Sequence, residues 1–278
     1  TKVIPGRLFL KKDTGGTVEI LFHKIIDENN IICIFKSSRK LIINTKLYLD
    51  ENNFFLIKDI SKNYVTLFYS ENPLSLFMNY GEVPLPKYIK RKATKSDIVR
   101  YQTTYAKNNG SVAAPTAGLH FTKSILEQIK KKGIHVEYLT LHVTYNTFKP
   151  IKIDDYTQHE IGSEYCSISE DLISKINSIK KNKKNIIAVG TTATRALENY
   201  ASKNIKGDFS GEADLYITPG YKFKIIDGLI TNFHLPQSSL LLLVSALIGK
   251  DNILNLYNKA IENNYRFYSY GDSMFIKV

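Results

Sequence analysis

Cysteine is scarce. Cys33 and Cys166 are the only two thiols in 278 residues, far apart and without neighbours at metal-ligand spacing. That argues against a disulfide framework or a structural zinc site and fits a reducing compartment. Methionine is equally rare (Met78 and Met274), and the chain opens on Thr1. We therefore read it as lacking its natural start, and expect a cytoplasmic protein, or an organellar one if a targeting segment is missing. No apolar run reaches the roughly 20 residues a bilayer crossing needs. The longest, LLLLVSALIG at 240–249, is expected as a buried helix, with no membrane as partner. H-E-x-x-H, C-x-x-C, G-x-S-x-G and Walker patterns are all missing, so no metal site and no serine-hydrolase elbow is expected. Acidic residues are outnumbered 26 to 38 by Lys and Arg, for a net charge of +12. Such a field draws polyanions, nucleic acid above all. An AT-rich coding bias toward Lys, Asn and Ile would produce the same excess, and KKK at 130–132 and KKNKK at 180–184 read equally well as solvated helix ends.

The first eighty residues read as strands. TVEILFHKII (17–26) and IICIF (31–35) flank DENN, and KLYLD (46–50) and FFLIKDI (54–60) flank a second DENN. The same polar tetrapeptide between β-rich runs signals two short hairpins, and with YVTLFYS (64–70) a small barrel is expected. VPLPKYIKR (83–91) marks a boundary. Beyond it helices and strands alternate: helices at 122–133, 169–182, 191–202 and two after 238, strands at 134–143, 185–190 and the terminal MFIKV. That order predicts an α/β domain with a largely parallel sheet. The expected organisation is a small barrel at 8–83 inserted in an α/β domain made of 1–7 and 84–278.

Four stretches could carry chemistry. SVAAPTAGLHFT (111–122) is built from small residues, which suits a tight packed turn or a backbone that must approach a ligand. In AVGTTATRALE a buried strand runs through Gly190 into a helix carrying Thr191 and Arg195, whose free N–H groups suit an anion or a ribose hydroxyl. DGLITNFHLPQSS sets Asn232 and His234 before a Ser-capped helix, where the histidine could relay protons or only satisfy loop carbonyls. YRFYSYGDSMFI holds Arg266, Tyr270 and Asp272; its aromatics could stack a base or pack a core.

Taken in order, YQTTYAKNNGSVAAPTAGLHFT, TLHVTYNTFKPI, VGTTATRALE, PGYKFKIIDGLITNFHLPQSSLLLLVSA and YRFYSYGDSMFI resemble the S-adenosylmethionine:tRNA ribosyltransferase-isomerase family of queuosine biosynthesis. The similarity runs essentially end to end, and VIPGRLF at 3–9 is similar to the family's RVIPARLF. The resemblance implies a large α/β domain with a small inserted barrel. It also implies transfer of the ribosyl part of S-adenosylmethionine onto 7-aminomethyl-7-deazaguanine at the tRNA wobble position, giving epoxyqueuosine. S-adenosylmethionine would be a cosubstrate, tRNA the partner, no metal would be needed, and the enzyme would act as a monomer. Carried over motif by motif, His120, His142, His234 and Glu164 are the implied acid/base candidates. Arg7, Thr116, Gly118, Thr191, Arg195, Asn232, Tyr270 and Asp272 are the implied substrate contacts. Two motifs depart from the family pattern. HVGxGTF becomes HVTYNTF, with Thr144, Tyr145 and Asn146 in the turn. MHSE becomes IGSE, with Gly162 where the family has histidine, Glu164 kept and His159 three residues upstream of Gly162. The alternative these departures leave is a tRNA-binding protein of the same fold with impaired catalysis.

Overall fold

The computed structural model describes residues 1–86, 88–144 and 150–277. The chain divides into two compact units, one of residues 2–102 with 109–113, the other of Thr1, 103–108 and 114–278.

In the first unit β1 (Lys2–Val3) precedes six strands: β2 (Arg7–Lys12), β3 (Thr17–Ile25), β4 (Asn30–Ser37), β5 (Lys46–Tyr48), β6 (Phe54–Ser61) and β7 (Tyr64–Phe68). These six close into an antiparallel barrel in the order β2-β3-β4-β7-β6-β5. Alternation along each strand sends Leu8, Leu10, Val18, Ile20, Ile31, Cys33, Phe55, Ile57, Val65 and Leu67 inward, all fully or almost fully buried. The two DENN segments make the same turn. Asp27 accepts from the backbone N–H groups of Asn29 and Asn30 and from the Asn30 amide. Asp50 does so with Asn52 and Asn53.

Helix α1 (Pro73–Tyr80) starts at an Asn72 cap with proline in its first turn. It buries Phe77 against Phe22 and Phe55, with ring centroids 5.8 and 6.3 Å apart. Reading the first eighty residues as strands alone missed this helix, whose start signal, Asn-Pro, was present. Helix α2 (Lys95–Arg100) and strand β8 (Asn109–Ser111) complete the unit. β8 pairs in parallel with β1, and the Gln102 amide brackets Val3 by accepting from its N–H and donating to its carbonyl.

The second unit contains α3 (Lys123–Lys131), β9 (Thr140–Leu141), β10 (Glu164–Ile168), α4 (Glu170–Lys181), β11 (Ile187–Val189), α5 (Thr191–Ser202), β12 (Phe209–Ala213), β13 (Gly228–Asn232), α6 (Ser239–Ile248), α7 (Lys250–Glu262) and β14 (Ser273–Lys277). Thr122 and Ser169 cap α3 and α4 as their positions suggest. The sheet is not largely parallel. Two three-stranded sheets form, β12-β10-β9 and β11-β13-β14, and the one parallel pair among the named strands of this unit is β11 with β13. One helix between two strands brings the chain back parallel. Two helices, α6 then α7, reverse it once more, so β14 returns antiparallel to β13. The strand expected at 134–143 shrinks to Thr140–Leu141, because only these residues find a partner in β10 while Ile134 and Tyr138 stay exposed.

Candidate active site

The parallel strands β11 and β13 end side by side, and Gly190 N–H donates to the carbonyl of Ile230. Gly190 adopts φ +92, which lets the chain turn directly from β11 into α5. The 116–120 segment, a single 3-10 turn, lies over this end, with Ala117 Cβ 4.0 Å from the space a side chain on Gly190 would enter. Open α/β sheets hold ligands at the carboxyl ends of their parallel strands.

Asn232, the last residue of β13, organises the first group. Its Oδ1 accepts from the Thr116 hydroxyl at 2.9 Å. Its Nδ2 faces His120 Nε2 at 3.2 Å and donates to the Asp272 carbonyl at 3.3 Å. His120 is half-buried, and burial lowers its pKa below 6.5; the Asp272 carboxylate opposes that shift and Arg266 adds to it. Asp272 is held by Arg266, which donates from its backbone N–H at 2.8 Å and from Nη2 at 2.7 Å. That pairing keeps its carboxyl below the usual range. Tyr270 lies half-buried on the same 266–272 turn. The turn's aromatics pack inward, Phe267 lying 4.8 Å from Phe233 and 5.4 Å from Tyr257 between ring centroids. Core packing accounts for the Phe267 ring.

The second group lies at the start of α5. A narrow pocket, partly open to solvent, is lined by Glu164, Thr191, Thr192, Arg195, Ser239 and Leu243, among others. The first turns of α5 and α6 both meet it. Arg195 is 7% exposed and donates from Nη2 to Glu164 Oε2 at 2.7 Å, with Glu164 1% exposed. Arg195 therefore reaches the pocket with its charge already answered. Removing either partner of such a buried pair costs about 3–5 kcal/mol.

The other expected site residues make the following contacts. Gly118 was expected to leave room for a substrate. The space where its Cβ would sit is already filled, by the Tyr105 hydroxyl at 2.1 Å and Thr103 Cγ2 at 2.8 Å. His234 is fully buried, its Nε2 lies 2.8 Å from Thr231 Oγ1, and desolvation pushes its pKa down to about 4. It is a neutral wedge in the loop. Its backbone N–H donates to the Tyr257 hydroxyl. Arg7 belongs to the barrel unit and pairs with Glu19 at 3.1 Å. His142 is half-buried, donates its N–H to the Tyr165 carbonyl and packs its ring 5.8 Å from that of Tyr165. His159 packs its ring 6.1 Å from that of Tyr216. Thr144 is buried, whereas Tyr145 and Asn146 lie outside the described residues.

Sequence reasoning missed Glu198. Fully buried one turn beyond Arg195, it accepts from the backbone N–H groups of Lys224, Ile225 and Ile226 and from the Tyr221 hydroxyl. The available signal was a glutamate on an otherwise buried helix face. No group of His, Cys, Asp and Glu among the described residues is spaced to hold a metal ion.

A half-buried histidine and a lined pocket at the carboxyl ends of parallel strands, in a chain that also carries a closed barrel, define an α/β enzyme. A family model described as queuosine biosynthesis protein matches residues 1–276, and the chain belongs to that family. It is 47% identical over 278 residues to the S-adenosylmethionine:tRNA ribosyltransferase-isomerase of Vesicomyosocius okutanii, covering 100% of this chain and 82% of the relative. It is 47% identical over 279 residues to the enzyme of the same name from Sulfurihydrogenibium sp., covering 99% and 82%. A solved S-adenosylmethionine tRNA ribosyltransferase from Thermotoga maritima is 29% identical, with a TM-score of 0.50 over 99% of this chain and 79% of that one.

Proposed function

We propose that this chain transfers and isomerises the ribosyl moiety of S-adenosylmethionine onto 7-aminomethyl-7-deazaguanine at the tRNA wobble position, giving epoxyqueuosine with release of adenine and methionine. The observation that carries this reading is the match over the whole chain to enzymes named for that activity. The net charge of +12 supports a polyanionic acceptor.

The chemistry makes separate demands. A proton made acidic by the sulfonium must be removed, the base's amine must attack the sugar, and adenine must be helped to depart. We assign the substrate's reacting part to the His120, Thr116, Asn232 and Asp272 group, with Tyr270 beside it. The pocket of Thr191, Arg195 and Glu164 is assigned to binding and orientation. Hydroxyls and helix N–H groups there suit a ribose or a carboxylate. His142 stays a candidate proton carrier. Arg7 is assigned to the barrel's own ion pair, and His234 and Gly118 to packing.

The test is mass spectrometry of tRNA carrying 7-aminomethyl-7-deazaguanine after incubation with the protein and S-adenosylmethionine. The expected result is epoxyqueuosine in the digested tRNA, with free adenine and methionine. Unchanged tRNA from protein that binds both substrates overturns the reading.

A further inference from the structure

His120 has two ring nitrogens, and the surroundings treat them differently. Nε2 faces an amide nitrogen of Asn232, which can only donate. The amide's orientation is fixed by the Asp272 carbonyl and is complemented by the Thr116 hydroxyl. Its oxygen accepts from the Thr116 hydroxyl, and its nitrogen donates to the Asp272 carbonyl, an acceptor that cannot change role. A flipped amide would set its oxygen against that carbonyl oxygen. Nε2 must therefore be the lone-pair nitrogen, and the ring proton sits on Nδ1, which has no hydrogen-bond partner among the described residues.

On the proposed function, we infer that Thr116 and Asn232 are positioning residues that lock His120 in its Nδ1–H tautomer, so that His120 meets the substrate as a neutral hydrogen-bond donor and not as a general base. The lone pair a base would use is occupied by Asn232, and protonating it would set an N–H against the amide's own N–H. Charge that builds on a substrate oxygen or ring nitrogen is what such a donor stabilises. A different group removes the proton that the sulfonium acidifies. The charged side chains acting on His120 are Asp272 and Arg266, already paired with one another. With burial they leave the imidazole neutral near pH 7.

The experiment combines two readouts on the full chain. Imidazole ¹⁵N NMR, with the His120 signals assigned by their loss in His120→Gln, reports the tautomer. Single-turnover ribosyl transfer against pH reports the ionisation that matters. Wild type should show the Nδ1–H tautomer and an acidic limb below pH 6.5. Thr116→Val removes the donor that complements the amide oxygen. It should mix the tautomers, move the acidic limb upward and slow transfer about tenfold, the worth of one hydrogen bond, while Thr116→Ser keeps wild-type behaviour. Asn232→Asp puts a carboxylate on Nε2 and should raise the acidic limb by about one pH unit or more. An Nε2–H tautomer in wild type overturns the inference. So does Thr116→Val matching wild type in both tautomer and pH profile. Wild type that transfers no ribosyl group overturns the functional reading instead, and the NMR comparison still decides the tautomer.

Discussion

In the two DENN turns of the barrel, the aspartate side chains bond close to home. Asp27 and Asp50 each satisfy the two residues that follow within three positions. In the α/β unit the polar groups that matter reach far along the chain. Asn232 joins Thr116, 116 positions away, and His120, 112 positions away. Arg195 reaches back to Glu164, and Glu198 forward to 224–226. Local bonding builds a scaffold from patterns that repeat in the sequence. Long-range bonding builds a site whose parts have no common pattern. The contrast predicts that polar substitutions in the α/β unit are costly and coupled, while those in the barrel turns are cheap and independent.

The largest effect falls on the buried ion pair. Arg195→Met or Glu164→Gln should destabilise the protein by about 3–5 kcal/mol in denaturant unfolding. The double variant should recover part of the loss, since it leaves no unpaired buried charge. Next comes His234. Its pKa is about 4 in the folded protein against 6.5 when free, so the unfolded chain binds the extra proton between those values. Stability contributed through His234 is therefore complete above pH 6.5 and lost on acidification toward pH 4, by about 3 kcal/mol in all. Unfolding measurements across that window should show wild type losing about 3 kcal/mol on acidification that His234→Gln does not lose. Gly118→Ala drives a methyl group onto the Tyr105 hydroxyl and should cost about 1–3 kcal/mol. Adding Tyr105→Phe should return part of it, and no rescue would mean that Gly118 is reserved for something other than this packing. The smallest effects are in the barrel. Asp27→Ala and Asp50→Ala should each lower the Tm slightly and equally, add without coupling, and leave ribosyl transfer unchanged.

The same contrast decides what could be read in advance. The barrel was legible because period-2 runs around two identical DENN turns specify hairpins locally. Helices α3, α4 and α6 were legible from their Thr or Ser caps and apolar spacing, and α5 and α7 from spacing alone. The mixed direction of the sheet was not, because the direction of β14 depends on how many helices intervene and not on β14 itself. Thr116, His120 and Asn232 stand out as candidates through the family motifs they sit in, and the structure brings their side chains together. Their division of labour was not legible, since which side chain donates to which is settled only when distant segments meet.

The central claim is that ribosyl transfer runs through the His120 group at the carboxyl ends of β11 and β13. The most direct measurement is single-turnover transfer from S-adenosylmethionine to tRNA by wild type and His120→Gln, with unfolding curves taken on both. The account predicts a loss of about 10²–10³-fold, the scale for removing one donor aimed at developing charge, with the Tm unchanged. A His120→Gln protein that transfers ribose at the wild-type rate would contradict it.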